Sequence, residues 1–133
     1  MRSKLIFLLM FLGLAGTAAA ADSASVVLEI SQGKLRGSAE DGIASFKGIP
    51  FAAPPVDELR WRPPQPAASW RGTRAASEFG NVCPQLLSPG YSAEVLGGRP
   101  MSEDCLFLNI WTSSPDSQAR LPVMVWILPG SWQ

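Results

Sequence analysis

The chain has 133 residues, 47% of them hydrophobic, with 11 basic and 11 acidic side chains and no histidine. That length allows one ordinary domain at most. The balanced charge, with no basic cluster, leaves no footprint for nucleic-acid or membrane-surface binding, and the missing histidine excludes a Ser-His-acid or Cys-His catalytic unit inside the chain.

The first 21 residues read as an export signal. Arg2 and Lys4 precede an apolar run, Leu5 to Leu14, and small residues follow from Ala15 to Ala21. A positive start, a short apolar core and a small-residue cleavage site are the three parts of a secretory signal. The best frame is Ala19-Ala20-Ala21, with cleavage before Asp22; Ala18-Ala19-Ala20 is the next best. The apolar core is too short to span ~30 Å of hydrocarbon, which argues against a membrane anchor. No cysteine follows the cleavage site, so no lipid anchor is expected there. The mature chain, residues 22–133, keeps eleven acids against nine bases. Localisation is expected to be secreted or periplasmic.

Two strand-like runs open the mature chain, Ser25 to Ile30 and Lys34 to Ala39. "SQG" between them suggests a hairpin. Ile43 to Phe46 can form another short strand. Pro50, Pro54, Pro55, Pro63, Pro64 and Pro66 follow. Proline lacks the N–H and fixes φ, so this stretch is neither regular helix nor central strand. Ile49, Phe51, Leu59, Trp61 and Trp70 are interleaved with the prolines, and a disordered linker is poor in such residues. Residues 47–72 are therefore expected to be an extended strap pinned to a surface by its aromatics, with Trp61 and Trp70 as anchors.

A long connection comes next, with one helical turn expected around Ala75 to Phe79. The only two cysteines, Cys83 and Cys105, are candidates for one disulfide in an oxidising compartment; two separate buried thiols are the alternative. Two cysteines alone make no zinc site, and the commonest transition-metal ligand is missing, so no metal or other cofactor is expected. Glu103 and Asp104 are adjacent, and adjacency sets no acid–base geometry; local hydrogen bonds or pairing with arginine is the expected role. Arg60, Arg62, Arg71 and Arg74 are expected to serve surface hydrogen bonds and ion pairs.

Two strong strand candidates close the chain, Cys105 to Thr112 and Pro122 to Leu128, with the polar "SSPDSQAR" between them. Both are near-continuous apolar runs, the pattern of strands covered on both faces. No convincing long amphipathic helix is present to cover them. That imbalance points to a larger domain of which this is one part.

Several phrases, in order, carry a resemblance: "FKGIPFAAPPVDELRWRPPQP", "WRG" at Trp70 to Gly72, "FGNVCPQ", "MSEDCLFLNIW" and "LPVMVWI". Together they resemble the N-terminal region of type B carboxylesterases, the α/β-hydrolases that include para-nitrobenzyl-type esterases and cholinesterases. The resemblance implies an α/β class and a partial α/β-hydrolase fold: an N-terminal hairpin, a proline-rich strap, a disulfide loop and the first central-sheet strands. It implies that Cys83 and Cys105 bridge. It implies that residues 22–133 are the N-terminal part of the family's domain, truncated at the oxyanion loop, about the first quarter of one large catalytic domain. The G-x-S-x-G nucleophile elbow is absent, and so are the acid and histidine of the triad, so no residue here is expected to be catalytic.

The oxyanion positions implied by the resemblance are Gly130 and Ser131, whose backbone N–H groups would face the charge developing on a carbonyl oxygen. Leu128 stands where the family usually has histidine, and Pro129 where it has its first glycine. Pro129 has no N–H and a fixed φ, which works against the required turn, and Pro-Gly reads equally as a plain turn after a strand.

The implied activity is hydrolysis of a small-molecule carboxylic ester through an acyl-serine, with this chain alone inactive. One half of a split esterase, completed by a C-terminal chain, and a non-catalytic secreted binding module are the alternatives. No nucleic acid and no membrane is expected as partner.

Overall fold

The computed structural model describes residues 24–86 and 96–127. The expected signal at 1–21 and the oxyanion positions Gly130 and Ser131 lie outside them. Five strands are present: β1 Ala24–Ile30, β2 Gly33–Glu40, β3 Ile43–Pro50, β4 Thr73–Ala75 and β5 Phe107–Thr112. They form one sheet in the order β1-β2-β3-β5, with β4 paired to β2.

The first three strands are a meander held by two tight turns. β1 and β2 pair in unbroken antiparallel register from Ala24↔Ala39 to Ile30↔Gly33, so the connection is two residues, Ser31 and Gln32, rather than three. β2 and β3 pair through Glu40↔Ile43, leaving Asp41-Gly42 as the turn. Asp41 has φ 50° and Gly42 φ 78°, and an Asp-Gly pair with both φ values positive matches the right-handed twist of the flanking strands.

Side chains that pair across strands share a face. Val26, Leu28 and Ile30 of β1 therefore stand beside Gly37, Leu35 and Gly33 of β2, and Ala39 beside Ala44 of β3. The buried core is Leu35, Ala44, Phe46, Ile49 and Ala76. Phe46 has no exposed surface. Its ring fits because position 37 is glycine: a Cβ there would meet the Ser45 carbonyl and come within 2.9 Å of the ring's Cε1.

The second edge of β2 is shared. Ser38 to Glu40 pair with β3, while Lys34 to Arg36 pair in parallel with β4. Ala76 fills the fork between them. Its N–H donates to the Arg36 carbonyl at 2.7 Å, and its carbonyl accepts from Lys47 N–H at 2.8 Å. Thr73–Ala75 is thus a strand where the sequence suggested a helical turn nearby. The free edge of β2 offers those backbone groups partners that an isolated helical turn lacks.

β3 extends to Pro50 instead of stopping at Phe46, because β5 pairs its outer edge from Ala44↔Thr112 to Pro50↔Phe107. The register shifts between Phe46 and Ile49, where Lys47 and Gly48 together oppose Asn109. This is a β-bulge. The Gly48 N–H, turned out of the ladder, donates to Asn109 Oδ1 at 3.0 Å. Gly48 has φ +64°, and a Cβ there would stand 2.6 Å from the Glu78 carbonyl, so the bulge requires glycine.

The strap is ordered, but its anchoring differs from expectation. Of the two tryptophans expected to anchor it, only Trp70 does: the Trp70 backbone N–H donates to the Gln32 carbonyl at 2.9 Å and the indole Nε1 to the Lys34 carbonyl at 2.8 Å. Trp61 is 92% exposed. It sits in the left-handed region at φ 61°, just after a single 3-10 turn, Asp57–Leu59, and that backbone points its ring away from the sheet. Trp111 and Trp126 are exposed as well, so anchoring is not the common role of the described tryptophans.

The strand expected from Pro122 to Leu128 is not formed over its described residues, 122–127, which are coil and exposed. No strand among the described residues lies alongside them, and an unpaired apolar run has nothing to cover either face. Nor is there an α-helix among the described residues. This region is the strand-rich beginning of its fold.

Phe46→Ala is expected to cost about 3–5 kcal/mol. It should collapse hydrogen-exchange protection at the amides of Leu35 and Ala44, whereas Val27→Ala, on the exposed side of β1, should leave that protection unchanged. Gly48→Ala should cost about 1–3 kcal/mol through its backbone conformation, read as earlier exchange across the β3–β5 pair alone.

Candidate functional site

The polar features of the chain converge where the strap meets the loop between the two cysteines. The loop's ends are drawn together by backbone hydrogen bonds. Val82 N–H donates to the Pro100 carbonyl at 3.0 Å, and Ser102 N–H to the Val82 carbonyl at 2.9 Å. Asn81 adds a side-chain bond, Nδ2 to the Asp104 carbonyl at 3.0 Å. Cys83 and Cys105, thereby placed with Cα atoms 5.1 Å apart, form a disulfide. The bridge implied by the resemblance is present, and no free cysteine remains.

The strap crosses this bridge at Arg60. The Arg60 guanidinium pairs with Glu103 Oε1 at 2.7 Å, which puts Glu103 in the arginine-pairing role. Asp104 differs: its backbone N–H donates to Ser102 Oγ at 3.1 Å, and its carbonyl accepts from Asn81 Nδ2. Pro55, Arg60, Trp61, Pro84, Glu103 and Cys105 line a cleft of ≈ 300 Å³ between strap and bridge. None of these groups is a nucleophile or a general base within reach of one, so the cleft can orient or exclude, and cannot by itself perform acyl transfer.

Arg74, in β4, lies over the Trp70 ring with its Cζ 5.4 Å from the centroid. A second aromatic centre was not legible in the sequence. Lys47 Nζ and Arg99 Cζ both lie over the Phe79 ring, at 5.0 and 5.1 Å, and Phe79 meets Trp111 at 6.3 Å. The residues are far apart in the chain, and only the bulge at Lys47 and the fold-back after β4 bring them together.

Among the described residues no group of three or more His, Cys, Asp or Glu is arranged to hold a metal. The oxyanion positions Gly130 and Ser131 lie outside the described residues, so the described site holds the disulfide loop and strap and none of the reacting groups.

Reduction of Cys83–Cys105, or replacement of both by serine, is expected to lower stability by about 3 kcal/mol, the chain-entropy value for a loop of this size. Denaturant midpoints with and without reductant measure it. In a double-mutant cycle, Arg60→Ala and Glu103→Ala should show a coupling of about 0.5 kcal/mol, because both side chains are part-exposed.

The sequence and the fold both match known proteins. A sequence model described as the Carboxylesterase family matches residues 24–133. The chain is 46% identical over 107 residues to phenmedipham hydrolase of Pseudarthrobacter oxydans, covering 78% of this chain and 21% of that protein. It is 40% identical over 115 residues to fumonisin B1 esterase of Sphingopyxis macrogoltabida, covering 86% and 21%. With para-nitrobenzyl esterase of Bacillus subtilis it shares 38% over 110 residues, covering 80% and 21%. Among solved structures, a thermophilic para-nitrobenzyl esterase superposes with a TM-score of 0.66 at 35% identity, over 79% of this chain and 21% of that one. A Geobacillus stearothermophilus carboxylesterase does so with a TM-score of 0.54 at 41% identity, over 68% and 17%. The chain thus spans about a fifth of the length of the curated relatives it matches. Its sheet, strap and disulfide loop are a partial α/β-hydrolase fold, and the chain belongs to the carboxylesterase family.

Proposed function

We propose that this chain is the N-terminal part of an exported carboxylic ester hydrolase that works through an acyl-serine, and that the chain alone is inactive. The observation that carries the reading is the family match across residues 24–133. Relatives at 38–46% identity are named as hydrolases or esterases, which makes small-molecule carboxylic esters the substrate class. With no histidine in the sequence, no serine of the chain has the base that activates a triad nucleophile. The part that turns over ester must therefore include residues from a complementary C-terminal region, in the same polypeptide or a second one.

Export is supported by the charged start, the apolar run and the small residues before Asp22, together with a disulfide in the region that follows. Secretion or periplasmic residence is the corresponding location, with residues 22–133 as the mature part of the domain. Gly130 and Ser131 are the proposed oxyanion donors. Pro129 before them removes one N–H and stiffens the approach.

The purified chain is expected to give no hydrolysis of para-nitrophenyl acetate above buffer; turnover abolished by a serine-directed organophosphate would refute inactivity. When the chain is expressed in a Gram-negative host, N-terminal sequencing of the periplasmic material should begin at Asp22. Recovery of the intact chain with Met1 in the cytoplasm would refute export.

A further inference from the structure

Asp41-Gly42 is the only Asp-Gly pair in the chain, and both residues are exposed at the tip of the β2–β3 turn. An aspartate followed by glycine is open to a reaction of its own backbone. The glycine nitrogen attacks the aspartate Cγ and a C–N bond forms. The carboxyl O–H and the amide proton leave together as water, and a five-membered succinimide results. Water then adds to one of its two carbonyls. Cleavage of the Cγ–N bond restores aspartate. Cleavage of the bond from the main-chain carbonyl to nitrogen leaves isoaspartate, whose backbone runs through Cβ and Cγ. One water is lost and one is gained, so the mass is unchanged.

The surroundings single out Asp41. Glycine has no side chain to shield the attacking nitrogen, and a Cβ built at Gly42 would meet nothing within 4 Å. The other described aspartates precede Glu58, Cys105 and Ser117, each with a side chain beside the nitrogen. The Cys105 N–H also donates to the Glu103 carbonyl at 3.0 Å, and Asp116 Oδ1 accepts from the Gln118 N–H at 2.8 Å.

The folded turn holds the reacting atoms apart. Asp41 at φ 50° and Gly42 at φ 78° make a type I′ turn, whose first central residue has ψ of about +30°. At that ψ the Gly42 nitrogen is nearly eclipsed with the Asp41 nitrogen. It is therefore turned away from the Asp41 Cβ and its carboxyl. The Asp41 Cα–C bond must rotate before the two can meet, and the pairing from Ser38↔Ser45 to Glu40↔Ile43 prevents that rotation. The pairing is short, and Phe46, with no exposed surface, lies directly behind it in the core.

We propose that Asp41-Gly42 is a site of spontaneous backbone isomerisation, kept latent by the turn and released when the β2–β3 pair opens. The product cannot re-form the turn. Isoaspartate adds one backbone atom to a connection whose two-residue length sets the register. β3 can then no longer close on Glu40↔Ile43, and Phe46 loses its place beside Gly37. A transient opening is thereby converted into a permanent one.

The test ages the full chain in buffer and in unfolding guanidinium chloride, with the disulfide intact. Peptide mapping locates isoaspartate, because a protease that cuts before aspartate leaves isoaspartate uncut. Asp41 is expected to isomerise about tenfold or more slowly in buffer than in denaturant, the ratio being set by how rarely the hairpin opens. In denaturant it should isomerise before Asp57, Asp104 and Asp116. Phe46→Ala should bring the rate in buffer close to that in denaturant, whereas Val27→Ala should leave it unchanged. The separated isoaspartate form should lose amide-exchange protection across β2–β3 and keep it across β1–β2. Equal rates in buffer and denaturant overturn latency, as does a Phe46→Ala chain that ages like the parent. Another of these aspartates isomerising first in denaturant overturns the site. An isoaspartate form with unchanged protection across β2–β3 overturns the locked-open product.

Discussion

Ala76 at the fork of β2 is the contact on which the remaining structure depends. β2 gives one edge to β1 and divides the other between β3 and β4. A divided edge leaves backbone groups where the two strands part, and burying them without partners would cost more than the local pairing gains. Ala76 supplies both, donating to Arg36 and accepting from Lys47, and its methyl is small enough to be 99% covered at that point, with 1% exposure. The direction of the chain after β4 follows from this. Residues 76–80 must run under the bulge of β3, which brings Gly80 against the Phe107 ring and delivers Cys83 to Cys105. The disulfide therefore secures an approach that the sheet has already made.

Much of this was legible in the sequence, and the unread parts share a cause. The strand-like runs Ser25 to Ile30 and Lys34 to Ala39, with "SQG" between them, predict the hairpin. Asp41-Gly42 carries the second turn as plainly, although the strand beginning at Ile43 was expected without it. The even cysteine count and the ordered family phrases point to the bridge. Thr73–Ala75 is different. Three residues with no apolar pattern become a strand only because β2 has a free stretch of edge, and that is a property of another segment. The extension of β3 to Pro50 and the bulge at Gly48 likewise depend on β5, about sixty residues away in the chain. Tertiary context overrides local propensity at each of these places.

Residues 122–127 make the complementary case. Their composition states the environment they require, two covered faces and two paired edges, and the described residues provide neither. An apolar run reads out the number of layers in a fold, not only its strands. The strand expected there is not formed over its described residues. Trp61 belongs with it. A bulky residue held at φ 61° accepts backbone strain, and its ring is left 92% exposed among the described residues.

These contacts close over successively longer stretches of chain. The meander β1–β3 closes through two-residue turns, at small loop-closure cost. β4 and Ala76 can add only to a finished β2. β5 and the disulfide come from the next distance scale, and they confine the strap through Arg60 and Glu103. Each step uses polar side chains to satisfy backbone or a neighbouring charge: Asn109 at the bulge, Asn81 at Asp104, Trp70 at the first turn. Among the described residues, the groove beside β5 and residues 123–127 remain as uncovered apolar surface. An esterase site needs a base and a nucleophile held against a preorganised pair of donors, and with no histidine in the sequence a triad base is not among this chain's residues.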